Sequence, residues 1–206
     1  MRRNTRREIL TAAQRLFNEY GYSSVSLQDI ADEVGITKGN LTYYFPKKEQ
    51  LVEAIVDEYC SLKFEDDLPQ SLAELDGMFQ RMQDAMSSHQ LLYLHHAQLG
   101  QISESILQKQ NERYLEMRGK LEEAFDSFNA RGTFRDELYE GEYLQMIDTI
   151  YMMTIYWSPF SELQKSAGIE TIYAQQVWGT IYGMLTREGR EELEALKSGD
   201  GSTGDA

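Results

Sequence analysis

The stretch from residue 25 to residue 51 constrains the fold most, because it reads as two short helices joined by a tight turn. Ser26 and Asp29 stand three residues apart, the spacing at which a hydroxyl and an acidic side chain cap the start of a helix. Gly35 provides the left-handed residue that ends this helix, and Thr37 is placed to cap the next one. Two helices this short are unstable alone in water, so a third helix must cover their shared apolar face.

The segment before this stretch supplies the third helix. Thr5 and Glu8 have capping-box spacing, and apolar side chains from Ile9 onward recur on one helical face until Gly21 closes the helix. We therefore predict a head of three helices, residues 1–50, that contains a helix-turn-helix.

The second short helix is expected to turn one aromatic side chain away from the protein. Leu41 and Phe45 define its buried direction, and at about 100° per residue Tyr43 lies opposite them. In a helix-turn-helix, the second helix enters the major groove of DNA, and lysines at the next helix start suit phosphates. These positions also fit ordinary solvated residues. The candidate DNA contacts are Ser26, Thr37, Lys38, Gly39, Asn40, Thr42, Tyr43, Tyr44, Lys47 and Lys48.

This head resembles the DNA-binding head of the tetracycline-repressor (TetR) family of bacterial regulators. The resemblance covers about the first quarter of the chain and rests on Leu16-Phe17, Tyr20-Gly21, Ile30-Ala31, Gly35-Ile36-Thr37-Lys38-Gly39, Leu41, Tyr43-Tyr44-Phe45, Lys48-Glu49 and Leu51. It implies an all-helical homodimer, two heads on a palindromic operator, and a C-terminal domain in which a small molecule weakens DNA binding. Members often carry an aromatic residue where this chain has Thr42, so a contact expected there is missing or moved to Tyr43.

The net charge of −14 argues at first against a nucleic-acid partner, but the charge is unevenly distributed. Residues 1–50 hold eight Lys or Arg against six Asp or Glu, whereas the remaining residues hold twelve against 28. Because DNA repels an acidic surface, only the head is expected to dock. The cluster of Arg2, Arg3, Arg6 and Arg7 fits either a basic arm on DNA or a solvated terminus. Plain solubility explains the acidic remainder equally well.

Residues 51–197 are predicted to form an all-helical second domain, and residues 198–206 a disordered tail. The fold class is therefore all-α. We expect helices at 47–64, 71–86, 90–98, 103–129, 139–165, 170–185 and 187–197. The first of them leaves the head and continues into the second domain, which makes it the expected mechanical link between the two.

Two helices of the second domain are apolar on more than one face and need a second partner. The first is apolar nearly all round over residues 150–157, and the second carries Gly179 and Gly183 four apart, where helices can approach closely. We predict a homodimer through a four-helix contact made of this pair from each subunit; an intrachain contact at the glycines is the competing interpretation. The candidate interface residues are Tyr173, Val177, Trp178, Ile181, Tyr182 and Leu185.

Flexible and amphipathic side chains of the second domain are candidates for a ligand pocket. Methionines adapt to irregular shapes, while tyrosine hydroxyls and histidine can orient a ligand. The candidates are Phe79, Met82, Met86, Tyr93, His96, Tyr114, Met117, Leu121, Tyr151, Met152, Ile155 and Tyr156. Each of them also fits a plain core. As a set they favour a largely apolar small-molecule effector with a few polar atoms.

Catalysis is not expected from this sequence. His95 and His96 are adjacent and project differently from a helix, and the chain has no Gly-rich phosphate loop or nucleophile elbow. We expect no enzyme activity, no cofactor and no metal. The chain has no run of about 18 apolar residues, so we expect no membrane partner. The charged N-terminus is not followed by the apolar segment of a signal peptide, so we also expect no signal peptide and a cytoplasmic location.

The resulting hypothesis is a TetR-like repressor. Its dimer would bind a palindromic operator, and a small, largely apolar ligand would release it by moving the helix that starts at Lys47. The alternative is a DNA-binding regulator with no small-molecule effector, controlled by a protein partner or acting as an activator.

Overall fold

The structure, a computed structural model, describes residues 5–61 and 68–199. These residues are mostly helical and contain no strand, although Phe134 and Leu185 form an isolated antiparallel bridge. The prediction of an all-α fold is confirmed. The α-helices are α1 (Thr5–Tyr20), α2 (Leu27–Val34), α3 (Lys38–Tyr44), α4 (Lys48–Ser61), α5 (Leu72–Ser88), α6 (Gln90–Leu94), α7 (His96–Leu99), α8 (Glu104–Ala130), α9 (Glu142–Ser166), α10 (Tyr173–Ile181) and α11 (Arg187–Gly199).

The described residues fall into two compact units. The first unit comprises those of Met1–Lys63 and His89–Arg113, and the second those of Phe64–Ser88 and Tyr114–Ala206. Helix α4 therefore belongs to the unit that carries the head. The predicted domain boundary at residue 50 divides the chain differently and stays a prediction.

Local signals set the helices of the head. The Ser26 hydroxyl accepts a hydrogen bond from the Asp29 N–H at 3.2 Å, and the Asp29 carboxylate accepts one from the Ser26 N–H at 2.7 Å, which closes the capping box. Gly35 ends α2 with a φ of 71°, a conformation that favours glycine. The Thr37 hydroxyl caps α3 by accepting a bond from the Asn40 N–H at 3.2 Å.

The head is held together by a small apolar core. Ile9 and Phe17 of α1, Ile30 of α2 and Leu41 of α3 are fully buried, as is Leu51 of α4. Helix α1 packs against α2 and α4, and α2 packs against α3. Each short helix thus gains its stability from tertiary contacts rather than from its own hydrogen bonds.

The second unit has an aromatic core around the segment between α8 and α9. Phe125 packs edge-to-face against Phe134 and Tyr143, with ring centroids 5.0 and 5.8 Å apart. Beside them Glu142, buried at the start of α9, forms an ion pair with Arg135 at 2.7 Å. The Arg135 N–H donates to the Met184 carbonyl at 2.8 Å, so this segment is also bound to the turn that precedes α11.

Helices α5 and α10 pack together in the same unit. Trp178 of α10 lies edge-to-face on Phe79 at 5.7 Å, and its indole N–H donates to the Asp76 carboxylate at 2.6 Å. Tyr173 is fully buried, and its hydroxyl lies 2.5 Å from that of Thr154 on α9. Most of the apolar side chains of α10 are therefore buried against other helices of the same chain.

Several predicted helix boundaries are wrong. The predicted helix 90–98 is interrupted at His95, and the one at 170–185 starts at Tyr173 and tightens into a 3₁₀ turn at Tyr182–Met184. Helix α9 starts at Glu142 rather than 139, because Gly141 before it has a left-handed φ of 81°; the Glu137 carboxylate also accepts the Tyr143 N–H at 2.7 Å.

Helix α11 runs through Gly199 and so includes Ser198, the first residue of the predicted tail; the tail stays a prediction. Residues 200–206 lie outside the described residues, as does the end of the predicted helix 47–64 beyond residue 61. Within residues 5–61 and 68–199, no helix is long and apolar enough to cross a membrane.

Candidate nucleic-acid interface

Helix α3 presents the aromatic and polar face that the sequence predicts. Tyr43 is 82% exposed and Tyr44 39%, whereas Leu41 and Phe45 are buried. The two tyrosine rings meet edge-to-face with centroids 5.3 Å apart. Lys38, Gly39 and Asn40 are exposed in the first turn of the same helix. This short, capped helix thus has an exposed first turn and an outward-facing tyrosine, an arrangement suited to close approach to a DNA groove.

Three candidate hydroxyl groups already serve the backbone of the head. The Thr42 hydroxyl donates to the Gly39 carbonyl at 3.1 Å, and the Thr37 hydroxyl caps α3. The Ser26 hydroxyl donates to the Asp29 carboxylate at 2.7 Å. The hydrogen bonds from the Ser26 backbone and side chain lower the pKa of Asp29, so its carboxylate stays charged at the positive end of α2. The predicted DNA contacts of these residues stay predictions.

Lys48 has partners that the sequence did not indicate. Its ammonium group donates to the carbonyls of Tyr22 and Val25 at 2.7 and 2.8 Å and lies 4.1 Å from the centroid of the Tyr22 ring. Burial lowers the pKa of Lys48, and the neighbouring Glu49 opposes that effect. Lys47, by contrast, is exposed. The phosphate contacts predicted for both lysines stay predictions.

The predicted basic arm is only partly described. Arg2 and Arg3 lie outside the described residues. The Arg6 guanidinium lies over the Phe45 ring at 5.4 Å and 3.7 Å from the Glu58 carboxylate. Arg6 is therefore engaged with α4 and the end of α3.

Two family models match this chain. Residues 9–55 match the model described as bacterial regulatory proteins of the tetR family. Residues 53–193, more than half of the chain, match the TetR model described as a bacterial transcriptional repressor. The chain belongs to the TetR family. As a member, it is a DNA-binding transcriptional regulator, and the helix-turn-helix of α2 and α3 is its DNA-binding element.

Individual relatives agree with this assignment. The repressor KstR2 of Mycobacterium tuberculosis is 27% identical over 202 residues, which cover 90% of this chain and 96% of KstR2. An HTH-type regulator of Lactococcus lactis matches locally, at 38% identity over 60 residues, 29% of this chain and 31% of that relative. A solved TetR-family regulator from Marinobacter aquaeolei has a TM-score of 0.81 at 24% identity, covering 95% of this chain and 98% of that one. The structure of KstR2, called a ketosteroid transcriptional regulator, has a TM-score of 0.64 at 22% identity, with 91% and 98% covered.

The candidate ligand residues of this TetR-family regulator lie in both units. Tyr93 and His96 belong to the first unit, and burial lowers the pKa of His96. In the second unit, Met152 and Tyr156 are 57% and 54% exposed on the outer side of α9, so these two do not lie in the interior of the chain. Buried in the second unit are Phe79, Met82, Met86, Leu121 and Ile155; half-buried there are Tyr114, Met117 and Tyr151.

A polar cluster that the sequence did not indicate lies next to the half-buried candidates. The Asp148 carboxylate accepts hydrogen bonds from the Tyr114 hydroxyl at 2.8 Å and from Arg118 at 3.0 Å. The hydrogen bond to Asp148 raises the pKa of the Tyr114 hydroxyl. The Tyr114 ring packs edge-to-face against the Tyr151 ring, with centroids 4.8 Å apart. No group of His, Cys, Asp and Glu suited to hold a metal occurs among the described residues.

The candidate interface residues are mostly buried within their own chain. Tyr173, Val177, Trp178, Ile181 and Leu185 are at most 2% exposed, and only Tyr182 of the six is exposed, at 41%. Exposed residues also occur on α9, on α10 and in the 3₁₀ turn that follows α10. They include Met152, Tyr156, Phe160, Leu163, Gly179, Tyr182 and Gly183. Among the described residues, no atom from outside their own local backbone lies within 4 Å of where a side chain would begin at Gly179 or Gly183, although the Gly183 carbonyl accepts a hydrogen bond from Arg135 at 3.0 Å.

Proposed function

We propose that this protein is a repressor that binds a palindromic operator as a homodimer and is released by a small, largely apolar ligand. The observation that carries the DNA part is Tyr43, exposed on a capped helix whose opposite side is held by Leu41 and Phe45. Lys38, Asn40, Tyr44 and Lys47 are the accompanying candidates for base or phosphate contact. Ser26, Thr37, Gly39 and Thr42 would position the backbone of α2 and α3 against the groove.

The homodimer proposal is supported by the exposed face of α9 and α10. Met152, Tyr156, Phe160 and Leu163 recur at four- and three-residue intervals, so they form one apolar stripe along α9. Exposure of so long a stripe of large apolar side chains to water is unfavourable, and the same face of a second copy would cover it. Gly179 of α10 and Gly183 of the following 3₁₀ turn would let two helices approach closely.

The ligand proposal is supported by the methionines and aromatic residues of the second unit. Met82, Met86 and Met117 supply adaptable apolar surface, whereas Tyr114 and Arg118 with Asp148 offer polar atoms. KstR2 is called a ketosteroid regulator, and a ketosteroid belongs to this class of apolar skeletons with few polar atoms. Ligand binding would then move α4 and change the separation of the two reading helices. A coupling free energy of about 1 to 3 kcal/mol would change operator affinity about 5- to 150-fold.

The DNA part is tested by fluorescence anisotropy on a labelled duplex taken from the DNA beside the protein's own coding region. Tyr43→Ala should weaken binding by about tenfold or more, because it removes an outward side chain from the reading helix. Tyr139→Ala is the matched control, since Tyr139 is 53% exposed and lies in the second unit. Equal affinity of both variants would contradict the assigned reading face.

The ligand part is tested on the same complex with a panel of apolar metabolites and drugs. Release by one compound, with a lower affinity of the DNA-bound protein for that compound, supports the repressor proposal. Tight binding that no compound reverses favours the alternative, a regulator controlled by a protein partner or acting as an activator. The proposed regulator catalyses no reaction and acts in the cytoplasm.

A further inference from the structure

The side chain of Lys48 joins two parts of the head that are far apart in sequence. Lys48 is the first residue of α4, while Tyr22 and Val25 belong to the segment between α1 and α2. The ammonium donates to both of their carbonyls, at 2.7 and 2.8 Å. One side chain thus bridges the start of α4 and the segment that leads into the helix-turn-helix.

The bridged segment fixes where α2 begins. Val25 is 3% exposed and directly precedes Ser26, the capping residue of α2. Tyr22 packs its ring on Phe17 of α1 at 5.5 Å and its face under the ammonium of Lys48. The bridge therefore ties the cap of α2 to α1 and α4 together, and α2 in turn packs against α3.

The contacts of Lys48 compete with a role at a phosphate. An ammonium has three N–H donors, and the two carbonyls take two of them. Hydrogen bonds from a charged donor are stronger than neutral ones, and the Tyr22 ring adds a cation–π contact. Only one donor of the Lys48 ammonium is left for a phosphate, whereas the side chain of Lys47 next to it is exposed.

We propose that Lys48 is a positioning residue for DNA binding, which sets the start of α2 relative to α4 and acts on the reading helix through α2. A displacement of the start of α4 pulls on the carbonyls of Tyr22 and Val25 and so shifts the cap of α2. This inference rests on the proposed role of α3 as the reading helix, and it gives the proposed movement of α4 a specific route to that helix.

The first readout is amide hydrogen exchange of the free, full-length protein, which needs no DNA. Lys48→Met keeps the length of the side chain but removes all donors, so the amides of α2 should exchange about tenfold faster. Lys47→Met, the matched control, should leave the protection of α2 unchanged. Unchanged protection in Lys48→Met would overturn the proposal.

The second readout separates positioning from phosphate contact by the salt dependence of binding to the duplex from beside the coding region. The quantity to compare is the slope of log affinity against log salt concentration, measured from about 50 to about 300 mM salt. Loss of a phosphate contact makes this slope shallower by about 0.9, whereas loss of positioning lowers the affinity and leaves the slope unchanged. We expect Lys48→Met to bind about tenfold more weakly with an unchanged slope. A lowered slope with unaltered exchange would make Lys48 a phosphate contact and overturn the proposal.

Lys48→Arg keeps the charge and serves as the second variant, in case Lys48→Met does not fold. A phosphate contact would tolerate arginine, whereas two carbonyls spaced for a compact ammonium would not, so affinity should fall several-fold. Wild-type affinity of Lys48→Arg would overturn the proposal. Should Tyr43→Ala keep full affinity while Lys48→Met still loosens α2, the reading face would be wrong and the positioning role of Lys48 in the head would stand.

Discussion

At the scale of single residues, the buried acid Glu142 links the pH to the stability of the second unit. Its carboxylate forms two hydrogen bonds with Arg135, at 2.7 and 2.8 Å, and accepts a third from the Leu138 N–H at 2.8 Å. These contacts, chiefly those from Arg135, lower the pKa of Glu142 to about 2 against an ordinary value of 4.5. A carboxyl group with a lowered pKa stabilises the fold above its ordinary pKa, and this contribution is lost as the pH falls toward the folded value.

We predict that Glu142→Gln lowers the free energy of unfolding by about 1.5 to 3 kcal/mol near neutral pH, because Arg135 loses its charged partner. The difference from the wild type should shrink as the pH falls from 4.5 to about 2, where Glu142 of the wild type is protonated as well. Urea unfolding at several pH values measures it. Glu140→Gln, an exposed change in the same turn, is the control and should stay at wild-type stability. A difference that does not depend on pH would contradict the assigned pKa.

At the scale of elements, the first turn of α11 packs so closely that it requires a glycine. A side chain at Gly189 would overlap the carbonyl oxygen of Thr133, which belongs to the turn after α8. The same carbonyl accepts a hydrogen bond from the Thr186 N–H at 3.0 Å, which holds the turn after α8 against the start of α11. Gly119 in α8 is the opposite case, because no described atom beyond its own local backbone lies within 4 Å of where its side chain would begin.

Gly→Ala exchanges at these two helical positions should therefore have opposite signs. Gly119→Ala should raise the free energy of unfolding by about 0.5 to 1 kcal/mol, since alanine is the better helix former. Gly189→Ala should lower it by about 1 to 3 kcal/mol, because the backbone of α11 must shift away from Thr133. Urea unfolding curves of the two variants give the comparison. A stabilised Gly189→Ala variant would show that this contact yields easily.

The elements also show which features sequence can predict. The caps at Ser26 and Thr37 and the end of α2 at Gly35 were predictable, because each depends on residues within one helical turn. The break between α6 and α7 at His95 was not, since residues 90–98 contain no glycine or proline. The partners of Lys48 lie 23 and 26 residues away in the sequence, so the local patterns that predict helices and caps do not indicate these contacts.

Burial direction in α10 was the other feature beyond reach of the sequence. Its apolar side chains lie on so many faces that periodicity does not say which face the chain itself covers. Trp178 turns toward Phe79 and Asp76 of α5, a choice set by a helix about a hundred residues earlier. The predicted helix pair stays the proposed interface, but the side chains assigned to it change.

At the scale of the whole molecule, the proposed homodimer depends on the exposed face of α9 and α10. Tyr156 lies in the middle of the α9 stripe, between Met152 and Phe160, and is 54% exposed. A carboxylate at this position would be buried without a partner in a symmetric interface and would face its own copy near the two-fold axis. We therefore expect Tyr156→Glu to dissociate the dimer while leaving the fold of each chain intact.

Light scattering coupled to size exclusion should give a dimer mass for the wild type and a monomer mass for Tyr156→Glu. Leu138→Glu is the control, because Leu138 is 73% exposed but lies outside α9 and α10, and it should remain dimeric. A monomeric regulator grips only one half-site at a time, so the affinity of Tyr156→Glu for the whole operator should fall by about 10² or more, with affinity for an isolated half-site unchanged. A Tyr156→Glu variant that stays dimeric would place the interface on another face. A monomeric variant with full operator affinity would instead show that one head suffices for binding.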